Sequence, residues 1–225
     1  MDGEILVVGA AILDVLAEPV DERVFETGSS PADAITMRAG GDALNEATVL
    51  AKLGESVQLL TVLGSDPASE LIRAHCRKWG IGLDHARTEA GVDTGINVVL
   101  VKEGGERSFL TNPHGTLRSL SAEHLEGDYL QGGKNPVFCQ YLCFSKAWRQ
   151  GDCPAVPRIR CVDTTGAGDS FAAGFVYALS QDMDLRTAAA YANVCGGLAV
   201  QKLGATEGIN NIVQVENAVK KYHSP

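Results

Sequence analysis

The chain has 225 residues, 45% hydrophobic and 21% charged, proportions that fit a globular protein with one sizeable core and exclude a disordered or fibrous one. Its formal net charge of −9 comes with no basic stripe to offset phosphate repulsion, which excludes nucleic acid as the expected partner. The opening Met1-Asp2-Gly3-Glu4 lacks the positive n-region of a signal peptide, and the apolar run 5–16 contains Asp14 and is too short for a bilayer, so a cytoplasmic protein with no membrane partner is expected.

Residues 5–10 are a continuous β-favouring run ending in Gly9-Ala10, the pattern of a buried parallel strand. Asp14 follows just beyond the end expected for that strand, where open α/β sheets bind ligands; a turn aspartate is the alternative. Residues 18–39 carry Pro19, Gly28 and Pro31 without helical periodicity and predict short strands joined by turns. Gly40 and Gly41 precede Asp42, Ala43, Leu44 and Asn45, and apolar positions run on to Leu53 before Gly54. This predicts a helix from about residue 43, with paired glycines at its head that let a ligand approach the backbone.

Residues 57–63 predict a second buried strand. Asp66 and Pro67 then offer an N-cap and a proline at the first helical position, and Leu71, His75 and Trp79 recur every four residues beside Ile72 and Cys76, as on the core face of a helix ending at Gly80. On that face His75 reads as a half-buried packing residue rather than a ligand. Residues 94–101 are rich in β-branched side chains, Gly104-Gly105 turns the chain, and residues 107–111 return as a second strand of a hairpin. With the strands of residues 18–40 it predicts a small separate sheet. Asn112 and His114 follow, either to reach a ligand or to face water, and Ser121 opens a helical turn through Leu125.

Residues 126–157 are interrupted by glycines and prolines and show no clean period. Of the six cysteines, Cys76 and Cys195 fall in helical patterns and read as core, while Cys139, Cys143, Cys153 and Cys161 form no Cys-x-x-Cys pair and give poor support for zinc. Residues 184–203 predict a long alanine-rich helix ending at Gly204, and residues 213–222 a last amphipathic one.

Between them lies the stretch on which the chain turns, Asp163-Thr164-Thr165-Gly166-Ala167-Gly168-Asp169-Ser170-Phe171, leading into a small-residue helix. Two close glycines allow a tight turn, and the first N–H groups of the helix lack intrahelical partners, which makes an anion site suited to phosphate. Asp169 puts a carboxylate at the same place, as a helix cap or as a base beside a transferring phosphoryl group.

Asp-Thr-x-Gly-Ala-Gly-Asp resembles the C-terminal signature of the ribokinase-like (PfkB) carbohydrate kinases, and Gly-Gly-x-x-x-Asn-x-Ala…Leu-Gly, beginning at Gly40, resembles their N-terminal signature. The resemblance covers about residues 4–125 and 155–210. It implies an α/β fold: a ribokinase-like three-layer α/β/α sandwich with a mostly parallel sheet and a small β-sheet lid. It implies ATP-dependent transfer of the γ-phosphoryl group to a sugar hydroxyl, with Mg²⁺ bridging the phosphates. By the same resemblance Asp169 is the base and the N–H groups of Gly166, Ala167 and Gly168 hold the moving phosphoryl oxygens. Asp14, Gly40, Gly41, Asp42 and Asn45 hold the sugar. Thr164, Gly166, Gly168 and Asn193 face the nucleotide, with a solvent-facing helix residue as the alternative for Asn193. Asp163 and Thr165 match positions at which some members bind a monovalent cation such as K⁺.

The expected organisation is one ribokinase-like domain over residues 1–225, with lid strands within 15–42 and 94–115, an atypical bridge at 126–157, and a homodimer formed through the lid. In the bridge the resemblance stops: the family's Asn-x-x-Glu motif, which helps organise magnesium and phosphates, does not occur in this sequence. Two other readings follow, a catalytically impaired sugar-binding remnant of such a kinase and a nucleoside kinase of the same family. No Gly-x-x-x-x-Gly-Lys-Ser/Thr occurs, which excludes a P-loop kinase.

Overall fold

The computed structural model describes residues 5–112, 115–116, 120–121, 124, 135–138 and 159–223, with the backbone alone for 135–138 and 223. The elements run β1 (Ile5–Val8), β2 (Ile12–Glu18), α1 (Val24–Thr27), β3 (Ala34–Gly40), α2 (Asp42–Lys52), β4 (Val57–Leu60), β5 (Val62–Leu63), α3 (Pro67–Trp79), β6 (Arg87–Thr88), β7 (Ile96–Val101), β8 (Arg107–Thr111), β9 (Asn135–Phe138), α4 (Ala167–Ser180), α5 (Leu185–Ala199) and α6 (Ile212–His223).

Two sheets carry the architecture. In the first, β1 lies between β4 and β9, all parallel, with Ile5 opposite both Val57 and Asn135. The alternation of β1 divides its side chains between the two faces. Ile5 and Val7 join the main core with α2, α3, α4, α5 and α6, while Leu6, Val8 and Leu60 form a second cluster against Leu120. The second sheet has the order β3-β2-β7-β8. Its β2–β3 and β7–β8 pairs are antiparallel hairpins, joined by a parallel β2–β7 pairing. A two-stranded parallel pair, β5 with β6, completes the strands among the described residues.

Two helices, α3 and α5, start on side-chain caps. Asp66 accepts from the Ser69 N–H at 2.8 Å in a capping box, Pro67 opens α3, and Gly80 closes it in the left-handed conformation. Asp184 caps α5 through the N–H groups of Arg186 and Thr187. The helix pair α4 and α5 packs closely because glycine leaves room: a Cβ on Gly174 would lie 2.7 Å from Cys195 Sγ and 2.9 Å from the Tyr191 carbonyl. Cys76 and Cys195 are buried core residues and Cys161 is exposed, while Cys139, Cys143 and Cys153 lie outside the described residues.

Several expectations change. Asp14 does follow the end of β1, but within a strand rather than a turn: the apolar run breaks after Val8 and restarts at Ile12, so Asp14 is the third residue of β2. Residues 18–39 hold a single helical turn, α1, as well as strand. Residues 57–63 split into β4 and β5, which belong to different sheets. The bridge supplies strand β9 beside β1. The N–H groups of Val162 and Asp163, before α4, both donate to the Val200 carbonyl. His114 and Leu125 lie outside the described residues. Among the described residues no helix is long and apolar enough to cross a membrane.

Candidate active site

Two helices begin on glycines with positive φ. Gly41 (φ +96°) heads α2 and Gly166 (φ +71°) heads α4. A Cβ on Gly41 would lie 2.7 Å from the Ala10 carbonyl, and one on Gly166 would lie 2.6 Å from Ala205 Cα. Both positions are therefore fixed as glycine by conformation and by close backbone approach. Gly40 has a different reason: a Cβ there would occupy the space taken by the Asp14 carboxylate. At Gly168 no atom lies within 4 Å of the missing Cβ, so the side of the α4 N-terminus there is open.

The first turns of α2 and α4 each carry a carboxylate, Asp42 and Asp169. Because the two helices pack together, their N-terminal ends meet. Asn45 Nδ2 donates to Asp169 Oδ2 at 2.8 Å. Burial pushes the Asp169 carboxyl up to about 6, the Asn45 hydrogen bond pulls it back in part, and the neighbouring Asp42 charge raises it further. Asp14 is also raised, by burial first, against a hydrogen bond from Asn97 and with the charge of Asp42 adding to the shift. Asn97 faces Asp14 in the β2–β7 register and accepts from Thr111 Oγ1 at 2.6 Å, which leaves its amide N–H groups for Asp14. The three acids Asp14, Asp42 and Asp169 thus share one electrostatic neighbourhood.

A cavity of about 470 Å³ opens beside this cluster. Asp14, Gly40 and Asn45 form part of its wall, with Arg38, Lys52, His75 and Trp79 further along. Asp169 is not in that wall but bonds the Asn45 amide that is. His75 is half-buried and its Nε2 bonds Thr48 Oγ1 at 2.8 Å. Asn112 accepts from the Ile96 N–H at 2.8 Å through its side-chain oxygen, a bond that ties it to its own hairpin.

The turn before α4 is ordered by Asp163. Its Oδ1 accepts from the Thr165 N–H at 3.0 Å, Thr165 Oγ1 at 2.7 Å and Arg107 Nη2 at 2.8 Å, and its Oδ2 from the Gly204 N–H at 3.0 Å. Burial alone would raise this carboxyl, but those donors outweigh it and hold Asp163 below the usual carboxylate range. Arg107 Nη1 also donates to Thr165 Oγ1. Arg107 thus contacts both side chains at which the resemblance implies a monovalent cation. Thr164 is exposed, and its carbonyl accepts from the Ala167 N–H at 3.3 Å. Asn193 is half-buried on α5, three residues before Gly196, whose missing Cβ would lie 3.2 Å from the Ala167 carbonyl. Among the described residues no group of three or more His, Cys, Asp or Glu could hold a metal ion.

Asn97, Arg38 and Arg107 were missed by sequence reasoning. The local trace at Asn97 and Arg38 is a polar residue between apolar neighbours, Ile96 and Val98 or Met37 and Ala39; Arg107, between Glu106 and Ser108, has none.

The family model described as pfkB family carbohydrate kinase matches residues 2–145 and 141–212. Among curated proteins, the ATP-dependent ribose-1-phosphate kinase of Halopiger xanaduensis is 49% identical over 47 residues, 21% of this chain and 16% of that protein. The ribokinase of Lactococcus lactis is 34% identical over 68 residues, 30% of this chain and 22% of that protein. The bifunctional protein HldE of Aliarcobacter butzleri is 38% identical over 72 residues, 32% of this chain and 15% of that protein. The matched stretch spans less than a quarter of the length of each of these relatives.

Solved structures match over nearly the whole chain. Arabidopsis thaliana ribokinase, complexed with ribose and ATP, has a TM-score of 0.73 at 20% identity, covering 98% of this chain and 99% of that one. Xylella fastidiosa fructokinase with bound ATP has a TM-score of 0.71 at 18% identity and full coverage of both chains, 100% and 100%. At these identities the likeness is one of fold: the ribokinase-like α/β architecture.

Proposed function

The chain belongs to the pfkB family of carbohydrate kinases, and on that premise we propose that it transfers the γ-phosphoryl group of ATP to a sugar hydroxyl. The observation that carries the reading is the Asn45–Asp169 hydrogen bond, which joins the heads of α2 and α4 into one site. Asp169, with its carboxyl at about 6, is ionised for the most part at neutral pH yet basic enough to take a hydroxyl proton. The N–H groups at the start of α4, beside the open flank of Gly168, hold the phosphoryl oxygens without reorganising.

Asp14, oriented by Asn97, and the backbone at Gly40 and Gly41 hold the sugar, with Asn45 and Asp42 beside them. Magnesium bound with the nucleotide would neutralise phosphate charge; among the described residues no cluster of three or more His, Cys, Asp or Glu would hold it apart from the nucleotide. The sheet β3-β2-β7-β8, which carries Asp14 and Asn97, serves as the lid that keeps water from the reacting phosphate. Its exposed Ile35 and Leu110 supply a surface for a second copy of the chain.

A second reading, sugar binding without turnover, is favoured by the absence of the Asn-x-x-Glu motif from the sequence. ADP release measured over a panel of pentoses, hexoses, sugar phosphates and adenosine tests the proposal. Turnover with a sugar is the expected result. Thermal stabilisation by a sugar without ADP release would establish the second reading instead, and turnover with adenosine alone would make the chain a nucleoside kinase.

A further inference from the structure

We propose that Arg107 is the resident cation of the Asp163–Thr165 turn, a positioning residue that ties strand β8 to the loop heading α4 and removes any need for a monovalent metal ion there. The Asp163 side chain is 3% exposed and that of Arg107 26% exposed, so the pair is largely out of water. Asp163 Oδ1 accepts from Arg107 Nη2 and from the Thr165 N–H and hydroxyl, and Oδ2 accepts from the Gly204 N–H. The second guanidinium nitrogen reaches the Thr165 hydroxyl, so one planar fork spans the Asp163 and Thr165 side chains at the position of the expected cation.

The geometry joins three segments distant in sequence. Arg107 opens β8 and pairs with Val101 at the far end of the hairpin. Asp163 lies 56 residues later, and Gly204 a further 41. The β8 strand is hydrogen-bonded through β7 to β2, the strand of Asp14. A shift of this sheet therefore pulls on the turn that orients the first N–H groups of α4. In the proposed reaction this links sugar-side and phosphate-side geometry through one side chain. The connection itself rests on these hydrogen bonds, whereas its catalytic meaning rests on the kinase reading.

The test uses readouts independent of turnover. Hydrogen exchange of the full chain is compared for wild type, Arg107→Ala, Arg107→Lys and, as an exposed control, Lys102→Ala, whose ammonium contacts Glu22 and Glu106. Arg107→Ala is expected to speed exchange across residues 161–166 by roughly tenfold, the size of one lost charge-assisted hydrogen bond. Arg107→Lys should fall between, because a point charge cannot span both partners, and Lys102→Ala should leave that segment unchanged. Melting is then followed in KCl and in NaCl at equal ionic strength. Wild type should melt at the same temperature in both salts, and Arg107→Ala should gain a K⁺-specific stabilisation as the carboxylate is freed. K⁺-specific stabilisation of wild type, or unchanged exchange at 161–166 in Arg107→Ala, would overturn the proposal. If Arg107→Ala does not fold, the Arg107→Lys exchange and the wild-type salt comparison decide. A chain without kinase turnover would still give these results.

Discussion

The Asn45 amide donates to the Asp169 carboxylate at 2.8 Å, across 124 residues of sequence. The bond stabilises the ionised form of an acid whose burial favours the neutral one. Asn45→Ala should therefore raise the Asp169 pKa above its present value of about 6, by roughly one unit for the loss of a hydrogen bond to a charged group. The acidic limb of the kcat/KM–pH profile is expected to move to higher pH in that variant. An unmoved limb would mean that Asp169 is not the group being titrated.

Asp169 also bears on stability. Its carboxyl is raised from 3.8 in the unfolded chain to about 6 in the folded one, so the folded state holds the proton more tightly. The associated cost is absent at low pH, grows as pH rises through this window, and is complete above about 6, where it amounts to about 3 kcal/mol. Asp169→Asn removes the charge and should raise the melting temperature at pH 7.5, with a smaller gain at pH 4. Melts at the two pH values check the sign, and equal shifts would contradict it.

The two glycines of the α4 head should behave in opposite ways. Gly166→Ala forces a side chain into a positive φ and against the Ala205 backbone, and should destabilise by more than about 1–3 kcal/mol. Gly168→Ala meets nothing within 4 Å and lies inside a helix, where alanine is favoured by roughly 0.5–1 kcal/mol. The same methyl narrows the proposed phosphate site. Gly168→Ala should thus keep or raise the melting temperature while raising the KM for ATP, in a paired comparison of melting and steady-state kinetics.

The second sheet exposes Ile35 at 70% and Leu110 at 57%. Exposed apolar side chains on a sheet are stabilised by a partner that covers them. Light scattering should give about 47 kDa, twice the 23.7 kDa chain, and the double variant Ile35→Asp/Leu110→Asp should give the monomer mass. A monomeric wild type would remove the proposed dimer.

How much of this was legible in the sequence differs by residue. Gly41, Gly166 and the acids after them were readable because helix starts have local chemistry: a glycine that turns, then a first turn with free N–H groups. The capping of α3 by Asp66 and Pro67 was readable for the same reason. The strand that carries Asp14 was not legible because the apolar run 5–16 conceals the gap between β1 and β2. Arg38, Asn97 and Arg107 could not be assigned, since their roles depend on which strands pair and in what register. Strand β9 escaped notice because its pairing with β1 is made across 130 residues of chain, Ile5 opposite Asn135, and leaves no local period.

The most direct test of the central claim compares ADP release by wild type and Asp169→Asn at saturating ATP and sugar, with sugar binding followed in parallel by thermal shift. The account predicts that the variant still binds the sugar while kcat falls by roughly 10²–10⁴-fold, the loss expected for a general base. A variant that binds the sugar and turns over near the wild-type rate would contradict it.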